Sequence, residues 1–179
     1  MAKIIKSLTI ISFCLFVISI ILFAALNNGI VLSFAITFGT FFYHFSMRIF
    51  VGTIVNKIMK NKADYNKKWF KVGDFEVKIY EFLNVKQWKV KSLSYEPDLF
   101  DKSKHTWDEI AQAMCQAEIV HEIIVVLSFL PIFASLLFGE FFVFLLTSIF
   151  SALFDFSFVI LQRYNRPRIL RLLNKTHKV

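Results

Sequence analysis

Four apolar runs, each long enough to cross a bilayer, constrain this chain more than any other feature of its sequence. They cover residues 4–26, 30–51, 119–138 and 141–161. The hydrocarbon core of a membrane is about 30 Å thick and a helix rises about 1.5 Å per residue, so roughly 20 apolar residues span it. The runs therefore predict an all-α membrane protein whose four transmembrane helices form two hairpins, within a single membrane domain of residues 1–179.

The composition agrees with this class. Of the 179 residues, 56% are hydrophobic and 19% are charged, whereas a soluble domain has about 45–50% and about 25%. The first run is longer than the apolar part of a signal peptide, which has about 7–15 residues. Because Asn27-Asn28-Gly29 also resembles a turn, we predict a helix that is retained.

A polar and basic segment, residues 52–118, separates the two hairpins, and we expect it to be interfacial or cytoplasmic. Residues 53–62 place apolar side chains at helical spacing among lysines, which is typical of a helix on the membrane surface. Apolar and charged residues alternate from Phe75 to Ile79, which favours a short strand. Thr106 followed by Glu109 predicts a helix cap, and that helix should continue into the third span.

Basic residues predict the orientation of the chain in the membrane. Lysines lie at the start of the first span and throughout the middle segment, and lysine and arginine recur in the tail, residues 162–179. The two short connections, Asn27-Asn28-Gly29 and Gly139-Glu140, are predicted to be tight turns and contain no basic residue. The positive-inside rule then predicts a multi-pass protein of the cell membrane with both termini in the cytoplasm. The net charge of +8 fits an anionic membrane surface better than nucleic acid. We expect Cys14 and Cys115 to be unpaired thiols.

Glu118 and His121 are three residues apart and share one face of a helix. A carboxylate that orients an imidazole can produce a general base for a hydroxyl group; the alternative is a polar pair that satisfies itself at a helix end. A Glu-x-x-His dimetal site requires a second copy, which is missing. Val125 stands where a zinc protease motif requires histidine, so no metal site is predicted.

Three ionisable residues lie within or beside the spans, where charge is unfavourable and often functional. His44 and Arg48 are one turn apart on the second helix, and Arg48 could also extend to the headgroups. Asp155 lies about two turns before the basic end of the fourth helix. It requires a partner, which His44, Arg48 or His121 could provide. We regard His44, Arg48 and Asp155 as possible supports for a site.

The fourth span ends in the sequence Gln162-Arg163-Tyr164-Asn165-Arg166-Pro167-Arg168. Guanidinium groups bind phosphate or carboxylate through paired hydrogen bonds, so the cluster is a candidate anion site. The alternative is a positively charged signal that stops membrane insertion, but such a signal would need only the charge and not Tyr164, Asn165 and Pro167. Pro167 should break or kink the helix, and Asn165 favours a turn.

This C-terminal run, continued by Ile169-Leu170-Arg171-Leu172-Leu173, resembles the signature of the glycosyl diaponeurosporenoate acyltransferases, small bacterial membrane enzymes of carotenoid biosynthesis. Trp88-Lys89 resembles the family's basic-Trp-Lys element, and Ala117-Glu118-Ile119-Val120-His121 resembles its Ala-Glu-x-x-His element. Together they cover roughly the second half of the chain, in the family's order.

The resemblance implies transfer of a fatty acyl group to a sugar hydroxyl of a lipid-like glycoside, with Glu118, His121 and the arginine cluster as site residues. The chain departs from the family pattern at four positions. Gln116 occupies a position where the family tends to have arginine, and Glu122 one where it tends to have tryptophan. Asp155 and Ser157 replace an asparagine and a proline. These departures lie near the predicted site, so the acceptor can differ.

The leading hypothesis is a membrane acyltransferase that acts on a glycolipid or lipid-like acceptor at the cytoplasmic face. His121, oriented by Glu118, would be the base. Gln162 to Arg168 would bind the anionic part of the substrates, with Trp88 and Lys89 at the entrance. Acyl-CoA or another acyl donor is expected as substrate, membrane lipids as partners, and no cofactor. A non-enzymatic lipid-binding or complex-assembly subunit is the main alternative, and a transporter is the third.

Overall fold

The computed structural model describes residues 2–88 and 97–176, and every regular element in these ranges is helical. The α-helices are α1 (Ala2–Leu26), α2 (Gly29–Met59), α3 (Asp74–Phe82), α4 (Trp107–Leu127), α5 (Ser135–Phe138) and α6 (Phe141–Thr176). Short 3-10 turns cover Lys68–Phe70, Val85–Gln87, Pro97–Phe100 and Leu130–Ala134. The all-α prediction is confirmed.

Four helical stretches are long and apolar enough to cross a membrane: Ala2–Leu26, Gly29–Met59, Trp107–Phe138 and Phe141–Thr176. These are the four predicted spans, each extended at one or both ends. Large apolar side chains such as Ile10 and Ile21 of α1 are more than half exposed, as expected for helices that have lipid as their solvent.

Both predicted hairpin turns are present. Asn27 has a positive φ of 45°, and the Asn28 Oδ1 atom accepts a hydrogen bond from the Ile30 N–H at 2.8 Å. Gly139 and Glu140, with φ of 72° and 52°, connect α5 to α6. Asparagine and glycine tolerate this left-handed backbone better than other residues.

The described chain divides into two compact units. The hairpin unit contains residues 2–52 and 123–155, and the connector unit contains the described residues of 53–122 and of 156–179. Within the hairpin unit α1 packs closely on α2, where a Cβ atom added to Gly39 would lie 3.0 Å from the Phe16 ring. The prediction of a single domain stays a prediction.

The predicted strand at Phe75 to Ile79 is wrong, because these residues lie in α3. The Glu76 carboxylate accepts a hydrogen bond from the Gly73 N–H at 2.8 Å and so caps the first turn of that helix. The buried Tyr80 lies one turn after Glu76, while Phe75, Ile79 and Phe82 form an exposed stripe. The real period is therefore that of an amphipathic helix, which five alternating residues concealed.

Residues 53–59 are helical, as predicted, but they continue α2 without a break. Lys60 and Asn61 then adopt positive φ values of 50° and 56° and end the helix. The predicted cap of α4 is confirmed: the Glu109 N–H donates to Thr106 Oγ1 at 3.2 Å, and the Thr106 N–H donates to Glu109 Oε2 at 2.8 Å. The helix that follows runs into the third span, also as predicted.

The two prolines of the later spans behave differently. The α-helical part of the third span ends at Leu127, and Pro131 lies in a 3-10 turn. Pro167, in contrast, lies inside the continuous helix α6. Of the predicted break or kink, the break is therefore wrong. Proline removes the hydrogen bond to the carbonyl four residues earlier, here that of Arg163. The helix continues because Arg163 and Arg166 are held by strong contacts just before Pro167, as described below.

Candidate functional site

Glu118 is the centre of a buried ionic group in the connector unit. Its side chain is 0% exposed. Its Oε1 atom accepts a hydrogen bond from Arg163 Nη1 at 2.6 Å, and its Oε2 atom accepts one from Arg166 Nη1. A buried carboxylate is stable only when it is paired and hydrogen-bonded, and here two guanidinium groups fulfil both conditions. We call Glu76, Glu118, Arg163 and Arg166 the Glu118 cluster.

Arg163 uses all five of its N–H donors. Besides Glu118, it donates to the two carboxylate oxygens of Glu76 at 2.8 and 3.0 Å. It also donates to the carbonyl oxygens of Trp69 and Lys71, at 2.9 and 3.0 Å. A guanidinium group has five donors in a fixed plane, so this side chain is fully satisfied. It ties α6 to α3, to α4 and to the backbone before α3.

Arg166 is 1% exposed and is held on two sides. Besides its bond to Glu118, its Nη2 atom donates to the carbonyl oxygen of Phe70, and its guanidinium carbon lies 5.0 Å from the centre of the Phe70 ring. The cation–π contact and the carbonyl bond both favour arginine over lysine.

The two arginines of the Glu118 cluster are balanced by its two carboxylates. Burial acts to raise the pKa of Glu76, but hydrogen bonds from Arg163 and from the Gly73 N–H outweigh burial and hold this pKa below its usual value. Glu76 is therefore ionised at neutral pH, and the cluster carries little net charge.

His121 lies one turn after Glu118 on α4 and is partly exposed. Its imidazole is stacked on the Phe158 ring of α6, with the ring centres 4.7 Å apart and the planes inclined by 12°. Stacking occupies a face of the imidazole and fixes its plane, whereas the two nitrogens lie on the ring edge. The predicted orienting contact from Glu118 to His121 stays a prediction.

Glu122, one of the departures from the family pattern, accepts a hydrogen bond from Trp69 Nε1 at 2.9 Å. Trp69 itself is 64% exposed. Glu122 directly follows His121 in sequence. Trp69 contacts the Glu118 cluster, because its carbonyl oxygen accepts a hydrogen bond from Arg163. A tryptophan at position 122 could not accept this bond, so the departure changes the polar contacts of the site.

Gln116, a second departure, is anchored within the connector unit. Its amide oxygen accepts a hydrogen bond from the Asn61 N–H at 2.7 Å, and its amide nitrogen donates to Asn56 Oδ1 at 3.1 Å. The residue therefore fixes the end of α2 against α4. Ser157, a third departure, is half-buried on α6.

The remaining residues of the C-terminal motif have separate environments. Tyr164 packs against a small core of Tyr80, Val85, Ile160 and Leu161, to which Val72 and Trp88 also contribute. Arg168 is exposed, donates to the Tyr164 hydroxyl, and lies over its ring at 4.1 Å. Gln162 is buried, and Asn165 donates to the carbonyl of Leu161 at 3.0 Å instead of forming a turn.

The structure thus places most of the predicted site residues in the connector unit: Glu118, His121, Trp88, Gln162, Arg163, Tyr164, Asn165, Arg166 and Arg168. Lys89 lies outside the described residues. His44, Arg48 and Asp155 belong to the hairpin unit, where Arg48 pairs with Asp155. Of the partners considered for Asp155, the structure therefore supports Arg48.

Sequence reasoning missed Glu76 and the carbonyl acceptors of Trp69, Phe70 and Lys71. Glu76 had a detectable signal, because it stands three residues after Gly73 in a capping pattern. The carbonyl acceptors had none, since backbone oxygens are present at every position. Within the described ranges, no three His, Cys, Asp or Glu side chains are close enough together to hold a metal ion.

Comparison with known proteins gives one result. The sequence profile of the glycosyl-4,4'-diaponeurosporenoate acyltransferases matches residues 66–175, well over half of the chain. No curated protein and no solved structure matches it. The matched segment contains the complete Glu118 cluster, His121 and the C-terminal motif. The chain belongs to the glycosyl-4,4'-diaponeurosporenoate acyltransferase family.

Proposed function

We propose that the protein is a membrane acyltransferase that moves a fatty acyl group onto a hydroxyl of a glycolipid or lipid-like acceptor, at the cytoplasmic face of the cell membrane. The observation that carries this proposal is the family match, because it includes Glu118, His121 and the arginine motif, and these residues share one compact unit. The four apolar helices are compatible with a substrate that is delivered from the membrane.

In this mechanism His121 is the general base. A ring nitrogen removes the proton from the acceptor hydroxyl while the hydroxyl oxygen attacks the carbonyl carbon of the acyl donor. With a thioester donor, the carbon–sulfur bond then breaks, and the thiolate leaves and receives the proton from His121. The stacking of His121 on Phe158 supports this role, because a fixed imidazole plane keeps the edge nitrogens in one orientation.

Glu118 contributes by positioning. Its carboxylate is bonded to Arg163 and Arg166, so it fixes α4 to α6 one turn before His121. Arg168 is better suited than these two arginines to bind the anionic part of the acyl donor, because it is exposed and its hydrogen-bond partner, the Tyr164 hydroxyl, is neutral. The predicted roles of Gln162, Trp88 and Lys89 at the substrate entrance remain part of the proposal.

The test is a comparison of membrane lipids from cells with the gene, without it, and with the His121→Ala variant. We expect one lipid to lose a single acyl chain in the null strain and in His121→Ala, with at least a 100-fold loss of product, since a general base contributes about 10²–10⁴-fold. Mass spectrometry measures the product. His105→Ala is the matched control and should retain full activity, because His105 belongs to the same unit but lies two residues before α4.

Wild-type levels of product in His121→Ala would remove His121 from the mechanism. Identical lipids in the null and complemented strains would contradict acyl transfer itself.

A non-enzymatic lipid-binding subunit is the second candidate, and the exposed stripe of α3 favours it. Phe75, Ile79 and Phe82 lie on one face of this helix and are exposed, whereas the Glu76 carboxylate is bonded to Arg163. Apolar stripes of this kind bind membrane surfaces. Purified protein that retains lipid but transfers no acyl group from acyl-CoA would support this second function over the first.

A further inference from the structure

The hairpin unit contains a second buried polar group, in the interior of helices that are otherwise apolar. Ser128 Oγ and Ser151 Oγ are 2.9 Å apart, and Arg48 Nη2 donates to Ser151 Oγ at 2.9 Å and to the Asp155 carboxylate. Arg48 also donates to the His44 carbonyl at 2.8 Å. We call these residues, together with Ser148, the His44 cluster.

Two cross-helix contacts give the register of α2 and α6. Ser33 bonds to Glu140 near the start of both helices, and Arg48 bonds to Asp155 farther along. Because the two pairs have the same separation of 107 residues in sequence, the helices run side by side in the same direction. His44, one turn before Arg48, is therefore level with the turn of α6 that carries Ser148 and Ser151.

At this level the polar groups have bonding capacity that no described residue uses. Both ring nitrogens of His44 and the hydroxyl of Ser148 are buried without a hydrogen-bond partner among the described residues. His44 is 4% exposed and Ser148 is 0% exposed. Leaving such groups unpaired in an apolar environment is unfavourable, so they indicate a ligand.

Ser148 differs from most hydroxyls of these helices and shares with Ser46 of α2 its lack of a partner among the described residues. Thr40, Ser128 and Thr147 each donate to the carbonyl four residues earlier, at 2.7–2.8 Å. This local bond is the usual way for a hydroxyl to be satisfied inside an apolar helix. The Ser148 hydroxyl does not make it and remains available for another partner.

Charge restricts the kind of ligand. Arg48 is neutralised by Asp155, so the His44 cluster offers no net charge to a phosphate or carboxylate. A neutral imidazole has one donor and one acceptor, and a serine hydroxyl has both functions. We propose that His44 and Ser148 bind a neutral O–H group, held beside the chain formed by Ser128, Ser151, Arg48 and Asp155. Water and the hydroxyl of a lipid-like molecule share this chemistry.

The first test is thermal unfolding of the full-length protein in phosphatidylcholine nanodiscs. His44→Phe keeps a planar ring but removes both nitrogens, and Ser148→Ala removes the hydroxyl. If an O–H ligand is bound, both variants lose hydrogen bonds and the Tm falls in both. In an empty site the same changes remove unpaired polar atoms, and the Tm rises; that result would overturn the proposal. Thr40→Val is the matched control, because the Thr40 hydroxyl is locally satisfied.

The second test identifies the ligand by nuclear magnetic resonance of protein with ¹⁵N-labelled histidine. The His44 signal is assigned by its loss in His44→Phe. Magnetisation transfer from water to His44 in phosphatidylcholine, which has no hydroxyl group, would identify water. A change in the His44 signal only after octyl glucoside is added would identify a lipid-like hydroxyl. If His44 showed neither magnetisation transfer from water nor a change with octyl glucoside, the site would be refuted. That result would hold even if acyl transfer were established, because the proposal does not depend on the reaction.

Discussion

The Glu118 cluster and the His44 cluster each contain a buried ion pair, but they differ in how completely their polar atoms are satisfied. All five donors of Arg163 have partners, and both oxygens of Glu118 are bonded. In the His44 cluster the ring of His44, the Ser148 hydroxyl and Arg48 Nε have none among the described residues. The difference teaches that a saturated cluster fixes structure, whereas an unsaturated one retains the capacity to bind a ligand.

Glu118→Gln should have the largest effect on stability, because it leaves the buried Arg166 without a carboxylate. Breaking a buried ion pair from one side destabilises by about 3–5 kcal/mol. Thermal or denaturant unfolding of the purified protein measures the loss. The exposed Glu81 of α3 provides the control, since Glu81→Gln should change the free energy of unfolding by less than about 0.5 kcal/mol. Equal stability of Glu118→Gln and wild type would show that the saturated cluster is not structural.

Asp155→Asn should destabilise less than Glu118→Gln. Asparagine keeps the size and one oxygen acceptor, and Arg48 retains its bonds to Ser151 and to the His44 carbonyl. We expect a loss of about 1.5–3 kcal/mol, the range for hydrogen bonds to charged groups. The same unfolding assay applies, with Glu140→Gln as the control in the hairpin unit, because Glu140 is exposed and a glutamine oxygen can still accept the hydrogen bond from Ser33. A loss larger than that of Glu118→Gln would reverse the order that the comparison predicts.

The smallest effect concerns Glu76, the partly exposed edge of the Glu118 cluster. Its pKa in the folded protein is below the ordinary value of 4.5. Glu76 therefore stabilises the fold above about pH 4.5, and this contribution is lost as the pH falls through the lowered folded pKa. We expect the unfolding temperature of the wild type to decrease between pH 6 and pH 3, and the decrease to be smaller in Glu76→Gln. An identical acid profile for the variant would exclude a role for Glu76.

The spans and turns could be predicted because each depends on local sequence. An apolar run of about 20 residues has few alternatives to a membrane helix, and Asn27-Asn28-Gly29 and Gly139 supply the residue types that tolerate a positive φ. The α3 helix was missed because Phe75 to Ile79 is too short to distinguish alternation from a helical stripe. Only the contacts of Tyr80 and Glu76 with the rest of the unit decide between them.

The partners of the site residues were far less predictable. Glu118 and His121 share a helix face, which a spacing of three residues already indicates. The arginines that bind Glu118 are 45 and 48 residues away in sequence, and no pattern in one sequence connects them. Pro167 illustrates the same limit, because its local rule predicts a break, whereas the contacts of Arg163 and Arg166 keep α6 continuous.

The long sequence separations in the Glu118 cluster have a consequence for biosynthesis. A ribosome makes Glu76 and Glu118 well before Arg163, which follows them by 87 and 45 residues. During that interval the two carboxylates have no guanidinium partner, so the connector unit can be completed only after the last helix has emerged. A nascent chain that stops before Arg163 would contain the predicted base and its neighbouring carboxylate but could not assemble the group that holds them in place.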